Sequence, residues 1–409
     1  MRYNMRVKKI YDIQAEESKK TRAFLVGLPL VEAPGGLAEL QGLVWTLGME
    51  EAGQIILSRL DMQPAYGMGS GKAREICEAA KIAEADCIIM DWELDPTKQR
   101  NWEKLADIPV FDRQEVIIRI FASRARTREA VLQVELARLE YSLPRLAHMY
   151  GDLARQRGGN YGAKGAGEKQ LELDRRQTRL KIQQLKAELK KVRQNRETQR
   201  KRRQKIPLPT VALCGYTNAG KSSLLNALTG SEALVENKLF ATLDPLTRRL
   251  KTAGAEILLT DTVGFISNLP HQLIDAFKST LEEAAQSDAL LIVLDASDPN
   301  APEQAKTVLK VLEEVGAGKK ERIVALNKID AAEAFSATVP DGAEPECKSA
   351  LARVAELKEN FPGAIETSAK TGAGLDKLKQ ALRRFGQPHY SQNKTLSGES
   401  NGLSCGCGC

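Results

Sequence analysis

Residues 211–223 read Val-Ala-Leu-Cys-Gly-Tyr-Thr-Asn-Ala-Gly-Lys-Ser-Ser, and the organisation of the chain can be worked out from this stretch. An apolar run ends at Gly215, four residues follow, and Gly220-Lys221-Ser222 opens a segment with a helical pattern. A strand, a turn bounded by glycines and a helix at this spacing are typical of a phosphate-binding loop. Its backbone N–H groups and the positive end of the helix surround a diphosphate. The stretch therefore predicts a nucleotide-binding domain.

Side chains of this loop have predictable roles. We expect Lys221 to reach the β and γ phosphates as a point charge, and the Ser222 hydroxyl to bind Mg²⁺. The remaining predicted nucleotide contacts of the loop are Gly215, Tyr216, Thr217, Asn218, Ala219, Gly220 and Ser223.

Four later segments follow in a fixed order, and the order carries more weight than any one of them. They are Leu239-Phe240-Ala241-Thr242-Leu243-Asp244-Pro245, Asp261-Thr262-Val263-Gly264-Phe265, Asn327-Lys328-Ile329-Asp330 and Thr367-Ser368-Ala369-Lys370. Thr242 is expected to complete the Mg²⁺ shell and sense the γ phosphate, and Asp261 to orient a metal-bound water. The Gly264 N–H is expected to contact the γ phosphate. Lys221, Thr242 and Gly264 form the predicted catalytic set.

The base is predicted to be guanine. Asp330 offers two carboxylate oxygens to adjacent N–H donors that guanine presents and adenine does not, so an ATP complex would leave this carboxylate unpaired. Asn327 and Lys328 are expected to brace the base, and the Ala369 N–H to meet its carbonyl. Together these patterns predict a GTP- and GDP-binding switch domain.

Composition limits the remaining possibilities. The chain has 409 residues, 42% of them hydrophobic, with no apolar run of membrane-spanning length and no apolar segment at its start. These features predict a soluble, cytoplasmic protein, and we expect a monomer. Seven scattered cysteines form no disulfide framework, which fits a reducing compartment. Cys405, Cys407 and Cys409 could bind a soft metal, but this cluster lacks a fourth ligand.

The region before the phosphate loop divides into two parts. Apolar runs at 24–30, 55–57, 87–90 and 109–111 alternate with helical stretches at 37–47, 73–83 and 114–122, which predicts a small parallel α/β domain. Within it, residues 66–73 (Tyr-Gly-Met-Gly-Ser-Gly-Lys-Ala) fail the phosphate-loop spacing. We interpret them as a glycine-rich connection into a helix, with an RNA-phosphate surface as the alternative.

A helical hairpin is predicted to follow. Leu132, Leu136, Leu139, Leu143, Leu146, Tyr150 and Leu153 repeat at spacings of four and three, as in a coiled-coil seam. Pro144 should kink this helix or mark its boundary. The glycine-rich stretch 156–167 predicts a flexible tip, and a second helix resumes at Glu168 with Ile182, Leu185, Leu189 and Val192 in its seam.

The second helix of the hairpin carries the basic charge of the protein. Residues 168–205 contain fifteen Lys and Arg against five Asp and Glu, while the whole chain has a net charge of +7. This excess favours a polyphosphate partner over an ordinary solvated face, although the latter stays open. The predicted domains are 1–125 (α/β), 126–205 (hairpin), 206–386 (P-loop GTPase) and 387–409 (a disordered tail).

The phosphate-loop, 239–245 and 261–265 segments resemble those of the HflX-type ribosome-associated GTPases. Segments outside the nucleotide site are similar too, namely Ala125-Arg-Thr-Arg-Glu129, Leu132-Gln-Val-Glu-Leu-Ala137 and Gly167-Glu-Lys-Gln-Leu-Glu-Leu-Asp-Arg-Arg176. The resemblance covers roughly residues 20–385. It implies a cytoplasmic GTPase that binds the large ribosomal subunit through its N-terminal domain and hairpin and helps to split or rescue stalled ribosomes. Lys169 and Trp92 depart from the family pattern, and the Cys-rich end lies outside it.

Two questions stay open at this point. A protein-directed switch that uses the coiled-coil seam is the alternative to an RNA-directed one. The position after Gly264, where many GTPases have a water-orienting Gln, is Phe265, so intrinsic hydrolysis should be slow. Either the partner or a K⁺ ion at Asn218 could then supply the missing positive charge.

Overall fold

The computed structural model describes residues 20–28, 37–59, 63–156, 164–203, 208–231, 238–252, 254–267, 283–338 and 350–386. Within these ranges, the side chains of residues 147–156, 164–170, 193, 195–203 and 335–338 are not described. The chain forms two compact units, Met1–Lys190 and Lys191–Cys409. The predicted hairpin tip between 157 and 163, the tail and the side chains of most of the basic run therefore lie outside the described part.

The first unit begins with alternating strands and helices. They are β1 (Arg22–Gly27), α1 (Ala38–Thr46), β2 (Glu50–Ile56), α2 (Ser70–Ile82), β3 (Cys87–Met90), α3 (Pro96–Ala106), β4 (Val110–Asp112) and α4 (Arg113–Arg124). The strands form a parallel sheet in the order β2-β1-β3-β4. The predicted small parallel α/β fold is confirmed. The glycine-rich stretch 66–73 leads into α2, with Gly69 at the helix N-cap.

Two long helices follow, α5 (Arg128–Gln156) and α6 (Lys164–Arg203). Leu136 packs with Ile182, Leu185 and Leu189 in a buried cluster, flanked by partly buried leucines of α5. The predicted seam is therefore confirmed for Leu132, Leu136, Leu139 and Leu143 of α5 and for Ile182, Leu185 and Leu189 of α6. Helix α6 begins at Lys164 rather than at the expected Glu168, so it includes two glycines of the predicted flexible tip. A glycine costs a helix only about 1 kcal/mol relative to alanine, which a long helix tolerates at its end.

Pro144 lies inside α5, so the alternative that it marks a helix boundary is wrong. Residues on both sides of it are fixed by tertiary contacts within the first unit. The Tyr141 hydroxyl donates to Asp112 Oδ1 at 3.0 Å. Arg145 donates through Nη2 to Asp112 Oδ2 at 3.0 Å and to the Leu94 carbonyl at 2.8 Å. These bonds tie α5 to the end of β4 and help the helix to continue past the proline.

The second unit is a doubly wound α/β domain. Its elements are β5 (Thr210–Gly215), α7 (Lys221–Thr229), β6 (Leu246–Thr252), β7 (Ala255–Asp261), β8 (Ala289–Asp295), α8 (Ala301–Glu314), β9 (Arg322–Asn327), α9 (Ile329–Thr338), α10 (Ala350–Asn360), β10 (Ile365–Glu366) and α11 (Leu375–Arg383). The sheet order is β10-β9-β8-β5-β7-β6. Strands β5 and β8 are almost wholly buried, so the core lies on both faces of the sheet.

One strand of this sheet runs against the others. Strand β6 pairs antiparallel with β7 over the full length of both strands, and it occupies the edge of the sheet. The connection includes Gly254 at φ +84°, a conformation that glycine adopts without steric cost. Every other strand pair is parallel, so the carboxyl ends of β5, β7, β8 and β9 meet along one edge. In open α/β sheets this edge is where ligands bind.

No helix in the described residues is both long enough and apolar enough to cross a membrane.

Candidate nucleotide site

The phosphate loop connects β5 to α7 as the sequence predicts. Asn218 and Gly220 have φ values of +60° and +88°, so the chain turns tightly before the helix begins at Lys221. The Lys221 ammonium is buried and donates to the carbonyls of Gly215 at 3.1 Å and Tyr216 at 2.8 Å. A side chain at Gly220 would collide with the Asn327 amide, whose Nδ2 lies 2.3 Å from the added Cβ position. Only glycine fits there.

Three oxygen-bearing side chains meet beside the loop. Ser222 Oγ donates to Asp261 Oδ2 at 2.6 Å, and Thr242 Oγ1 donates to the same oxygen at 3.0 Å. The two hydroxyl oxygens are 2.9 Å apart. These residues come from α7, the 239–245 segment and the end of β7, so the fold brings together the three side chains that the sequence analysis assigned to Mg²⁺. Two hydroxyls and a carboxylate are hard oxygen donors, which suit this ion.

Burial governs the ionisation of this cluster. It raises the pKa of the Asp261 carboxyl, while Lys221 and the hydrogen bonds from Ser222 and Thr242 act in the opposite direction. Burial also lowers the pKa of the Lys221 ammonium, and the negative charge of Asp261 counteracts this. Burying either charge costs free energy, and the opposite charges of Asp261 and Lys221 reduce that cost for each other.

A second group of residues lies at the carboxyl end of β9. Asn327 Nδ2 donates to the Ala219 carbonyl at 3.0 Å, and its Oδ1 accepts from the Ala369 N–H at 3.1 Å. Lys328 has φ +62°, and its Nζ lies 2.7 Å from Asp295 Oδ2. Asn327 therefore joins the phosphate loop to the 367–370 segment. Asp330, partly exposed, lies in the first turn of α9, which follows directly.

The segment that follows β7 packs directly against the phosphate loop. The Phe265 N–H donates to the Gly215 carbonyl at 3.1 Å, and the Thr217 N–H donates to the Phe265 carbonyl at 2.7 Å. The Phe265 side chain is 2% exposed and belongs to the core of the domain. A Cβ at Gly264 would lie 2.8 Å from the backbone Cα of Thr217 and 2.9 Å from the Lys221 ammonium, so this position also requires glycine.

A pocket at this edge of the sheet gathers about half of the predicted site residues. Those lining it are Thr217, Asn218, Gly220, Lys221, Ser222, Ser223, Phe240, Ala241, Thr242, Thr262, Gly264 and Lys328. The others lie outside its lining: Gly215, Tyr216, Ala219, Leu243, Asp244, Asp261, Val263, Asn327, Ile329, Asp330, Thr367, Ser368 and Ala369. Two of them bond to lining residues or to the loop: Asn327 bonds to the Ala219 carbonyl, and Asp261 accepts from Ser222 and Thr242.

Two residues near the pocket were missed by the sequence analysis. Lys238 lines the pocket, and Asp295 holds Lys328. For Asp295 a signal was present in the sequence, since it ends an apolar strand as Asp261 does. Lys238 directly precedes the 239–245 segment but follows no spacing rule of its own.

The fold and this pocket define a P-loop nucleotide-binding protein of the GTPase class, and comparison with known proteins agrees. Family models described as "GTP-binding GTPase N-terminal", "GTP-binding GTPase Middle Region" and "50S ribosome-binding GTPase" match residues 35–122, 124–203 and 210–328. The curated GTPase HflX of Akkermansia muciniphila is 49% identical over an alignment of 386 positions that covers 91% of this chain and 85% of the relative. GTPase HflX of Escherichia coli K12 is 44% identical, over 85% of this chain and 78% of the relative.

The chain belongs to the GTPase HflX family and is a GTP-hydrolysing enzyme. Among solved structures, the crystal structure of SsGBP in complex with GDP covers 90% of this chain and 98% of its own, at 26% identity and a TM-score of 0.50. The predicted fold class and family resemblance are thus confirmed.

Proposed function

We propose that this GTPase binds the large ribosomal subunit in its GTP form and acts in the cytoplasm to split or rescue stalled ribosomes. The contact is made by the N-terminal α/β domain and the basic hairpin. The description of the family model that matches residues 210–328, a 50S ribosome-binding GTPase, supports this choice of partner. The protein acts as a monomer.

The observation that carries the proposal is an arginine-rich groove on α6. It is lined by Leu171, Glu172, Arg175, Arg176, Arg179, Leu180 and Gln183. Arg176 and Arg179 are exposed, and no ion pair links any of the three arginines to a residue that the structure describes. Three guanidinium groups against one carboxylate form a surface for phosphate oxygens, which arginine binds in a bidentate manner.

The seam of the hairpin argues against the protein-directed alternative. Leu136, Ile182, Leu185 and Leu189 bury one another, so the apolar stripe of the described hairpin is used within the chain. About half of the exposed residues that the structure describes on α6 are charged, and most of these are Lys or Arg, while Leu173 and Leu180 are also 50% exposed. An RNA partner therefore fits the exposed surface of the hairpin better than a coiled-coil partner does.

At the nucleotide site we assign each residue the role expected from its chemistry. Lys221 contacts the β and γ phosphates, Ser222 and Thr242 ligate Mg²⁺, and Asp261 holds a water of the metal shell. The bound Mg²⁺ neutralises charge on the phosphates. Asp330 selects guanine by pairing with its adjacent N–H donors.

A K⁺ ion at Asn218 is a second candidate source of positive charge. Asn218 lines the pocket, is exposed and has a φ of +60°, so its side chain is not committed to the core. An ion held there would lie on the phosphate side of the loop and favour the charge that develops during hydrolysis.

Cosedimentation with purified large subunits tests the ribosome proposal. Wild type is compared with a variant that combines Arg175→Gln, Arg176→Gln and Arg179→Gln, each with a GTP analogue and with GDP, over a range of salt concentrations. We expect tight binding in the GTP form only, a steep fall of affinity with salt, and a slope flatter by up to about 3 in the variant.

The matched control changes the same number of charges in the second unit, through Lys310→Gln, Lys319→Gln and Lys377→Gln, all at exposed lysines. It should bind like wild type. Binding that is insensitive to salt, or equal for the arginine variant and wild type, would refute the arginine groove as the RNA contact and favour a protein partner.

A further inference from the structure

Three lysines line the nucleotide pocket, and two of them are already committed. Lys221 donates to two carbonyls of the phosphate loop at 3.1 and 2.8 Å. Lys328 pairs with Asp295 at 2.7 Å. Lys238 is partly buried in the pocket lining and makes no hydrogen bond or ion pair with any residue that the structure describes. Among the three lysines of the pocket lining, it is the one without a bonding partner in the part of the chain that the structure describes.

The chain segment around Lys238 is anchored beside the predicted metal site. Phe240, two residues further on, is 2% exposed and has φ +55°. Thr242 is bonded to Asp261 at 3.0 Å. These contacts fix the segment from Phe240 onward, so the flexible side chain of Lys238 starts from a backbone held at the rim of the pocket.

The pocket lacks a described side chain, other than this lysine, that is free to supply positive charge during hydrolysis. The Phe265 side chain is buried in the core and carries no hydrogen-bonding group, so it can neither orient water nor supply charge. No arginine is among the described residues that line the pocket. A GTPase lowers its barrier by placing positive charge where negative charge develops, a task that an arginine performs in some GTPases from within the same chain.

We propose that Lys238 is this internal cation. In hydrolysis the water oxygen bonds to the γ phosphorus, the bond to the β–γ bridging oxygen breaks, and its electron pair remains on GDP. One water proton stays on the inorganic phosphate and the other goes to solvent. Lys238 Nζ stabilises the charge that builds on the bridging and γ oxygens. The proposal rests on the nucleotide assignment above and deepens it by naming a catalytic residue.

Single-turnover GTP hydrolysis without ribosomes tests this role. Lys238→Gln is compared with Lys238→Arg and with the control Lys251→Gln, an exposed lysine on β6. We expect Lys238→Gln to slow hydrolysis by about 10- to 100-fold with little change in the dissociation constant for GTP. Lys238→Arg should retain most of the wild-type hydrolysis rate. The control Lys251→Gln should hydrolyse GTP at the wild-type rate.

A transition-state mimic separates catalysis from a structural role. GDP with aluminium fluoride should bind Lys238→Gln more weakly by about the factor lost in rate, whereas GDP alone should bind as to wild type. An unchanged hydrolysis rate overturns the proposal. So does a loss of GTP and GDP affinity that accounts for the whole effect, since the lysine would then act only in binding.

The same assays in K⁺ and in Na⁺ distinguish the lysine from a bound ion. If a K⁺ ion supplies the charge instead, Lys238→Gln keeps the wild-type rate in K⁺ and the proposal fails. No arm uses ribosomes, so failure of the ribosome proposal leaves this result intact. A wild-type protein that did not bind GTP would show that the nucleotide assignment itself is wrong.

Discussion

Asp112 in the first unit and Asp261 in the second occupy equivalent places in two different sheets. Each is the last residue of a parallel strand, β4 or β7, and each is 0% exposed. Burial raises the pKa of both carboxyls above its ordinary value. From strand, burial and ionisation alone, the two positions would be assigned the same role.

The hydrogen-bond partners of Asp112 and Asp261 distinguish the two residues. Asp112 accepts from the N–H groups of Leu94 and Glu115, from the Tyr141 hydroxyl and from the Arg145 guanidinium, which neutralises it. None of these donors is a metal ligand. Asp261 instead accepts from the Ser222 and Thr242 hydroxyls, whose oxygens can themselves ligate a cation. The first aspartate fastens the hairpin to the sheet, whereas the second lies among the oxygen donors of the proposed Mg²⁺ site.

The largest expected effect comes from removing the first aspartate. Asp112→Ala should cost the first unit about 3–5 kcal/mol of unfolding free energy, because it leaves the buried N–H groups of Leu94 and Glu115 without their acceptor and removes the bonds to Tyr141 and Arg145. Urea unfolding followed by tryptophan fluorescence measures this selectively. All three tryptophans of the chain, Trp45, Trp92 and Trp102, lie in the first unit.

Nucleotide binding provides the control for this variant. The affinity for GTP should be unchanged in Asp112→Ala, since the nucleotide pocket is lined only by residues of the second unit. A loss of less than about 1 kcal/mol would mean that the bonds to Tyr141 and Arg145 do not hold the hairpin, and that Asp112 has no structural role of the kind proposed.

The matching change in the second unit should act on ligand binding. Asp261→Asn keeps the size of the side chain and removes its charge. We expect the gain in GTP affinity that Mg²⁺ provides to fall by about 10- to 100-fold, as is typical when a group that orients a metal's ligands is lost. Titration of a fluorescent GTP analogue with Mg²⁺ and with EDTA measures it.

Affinity in EDTA should change much less in this variant, since the phosphate loop itself is intact. If Asp261→Asn weakened binding equally with and without Mg²⁺, the Ser222, Thr242 and Asp261 cluster would be a structural contact like that of Asp112.

The same two regions show what sequence can predict. The residues of the Asp261 cluster were assigned in advance because each belongs to a local motif whose spacing fixes its place at a strand or helix end. Asp112 and its partners were not, because Tyr141 and Arg145 lie 29 and 33 residues further along the chain and no local pattern links them. Lys238 was missed for a related reason, since a lone lysine before a motif carries no spacing rule.

Local rules also failed where tertiary contacts or long helices outweigh them. Pro144 does not mark a boundary of α5, one of the two outcomes expected for it, and Gly165 was expected to stay outside a helix, yet both residues lie within helices. Strand β6 was not foreseen because its sequence, Leu-Thr-Arg-Arg-Leu-Lys-Thr, has only two large apolar residues, as befits an edge strand with one exposed face.

Helix α3 was not predicted either, although the sequence contained a signal for its start. Asp95 caps it by accepting from the N–H groups of Thr97 and Lys98, with Pro96 in the first turn.

The smallest expected effect concerns pH and again rests on Asp112. Burial raises the pKa of its carboxyl to about 6, although Arg145 and the N–H groups of Glu115 and Leu94 lower it and the charge of Glu115 raises it further. The unfolded chain has an ordinary aspartate with a pKa of about 3.9. Between these two values the folded state binds more protons than the unfolded state.

The sign of the pH effect follows from that difference. Because the folded pKa is the higher one, this group's contribution to stability is fully present below about pH 4 and is lost as the pH rises through about 6. Between pH 5 and pH 7 the first unit should lose about 1 kcal/mol from this source. Asp112→Asn has no group that titrates at this position. Unfolding free energies of wild type and variant are therefore measured by tryptophan fluorescence between pH 5 and pH 7. Their difference gives the contribution of Asp112 titration, because every other ionisable group is common to both proteins. A difference that stays constant, or that grows in favour of wild type as the pH rises, would mean that Arg145 holds Asp112 ionised throughout. The contact between Asp112 and Arg145 would then be an ordinary buried ion pair, with no titration between pH 5 and pH 7.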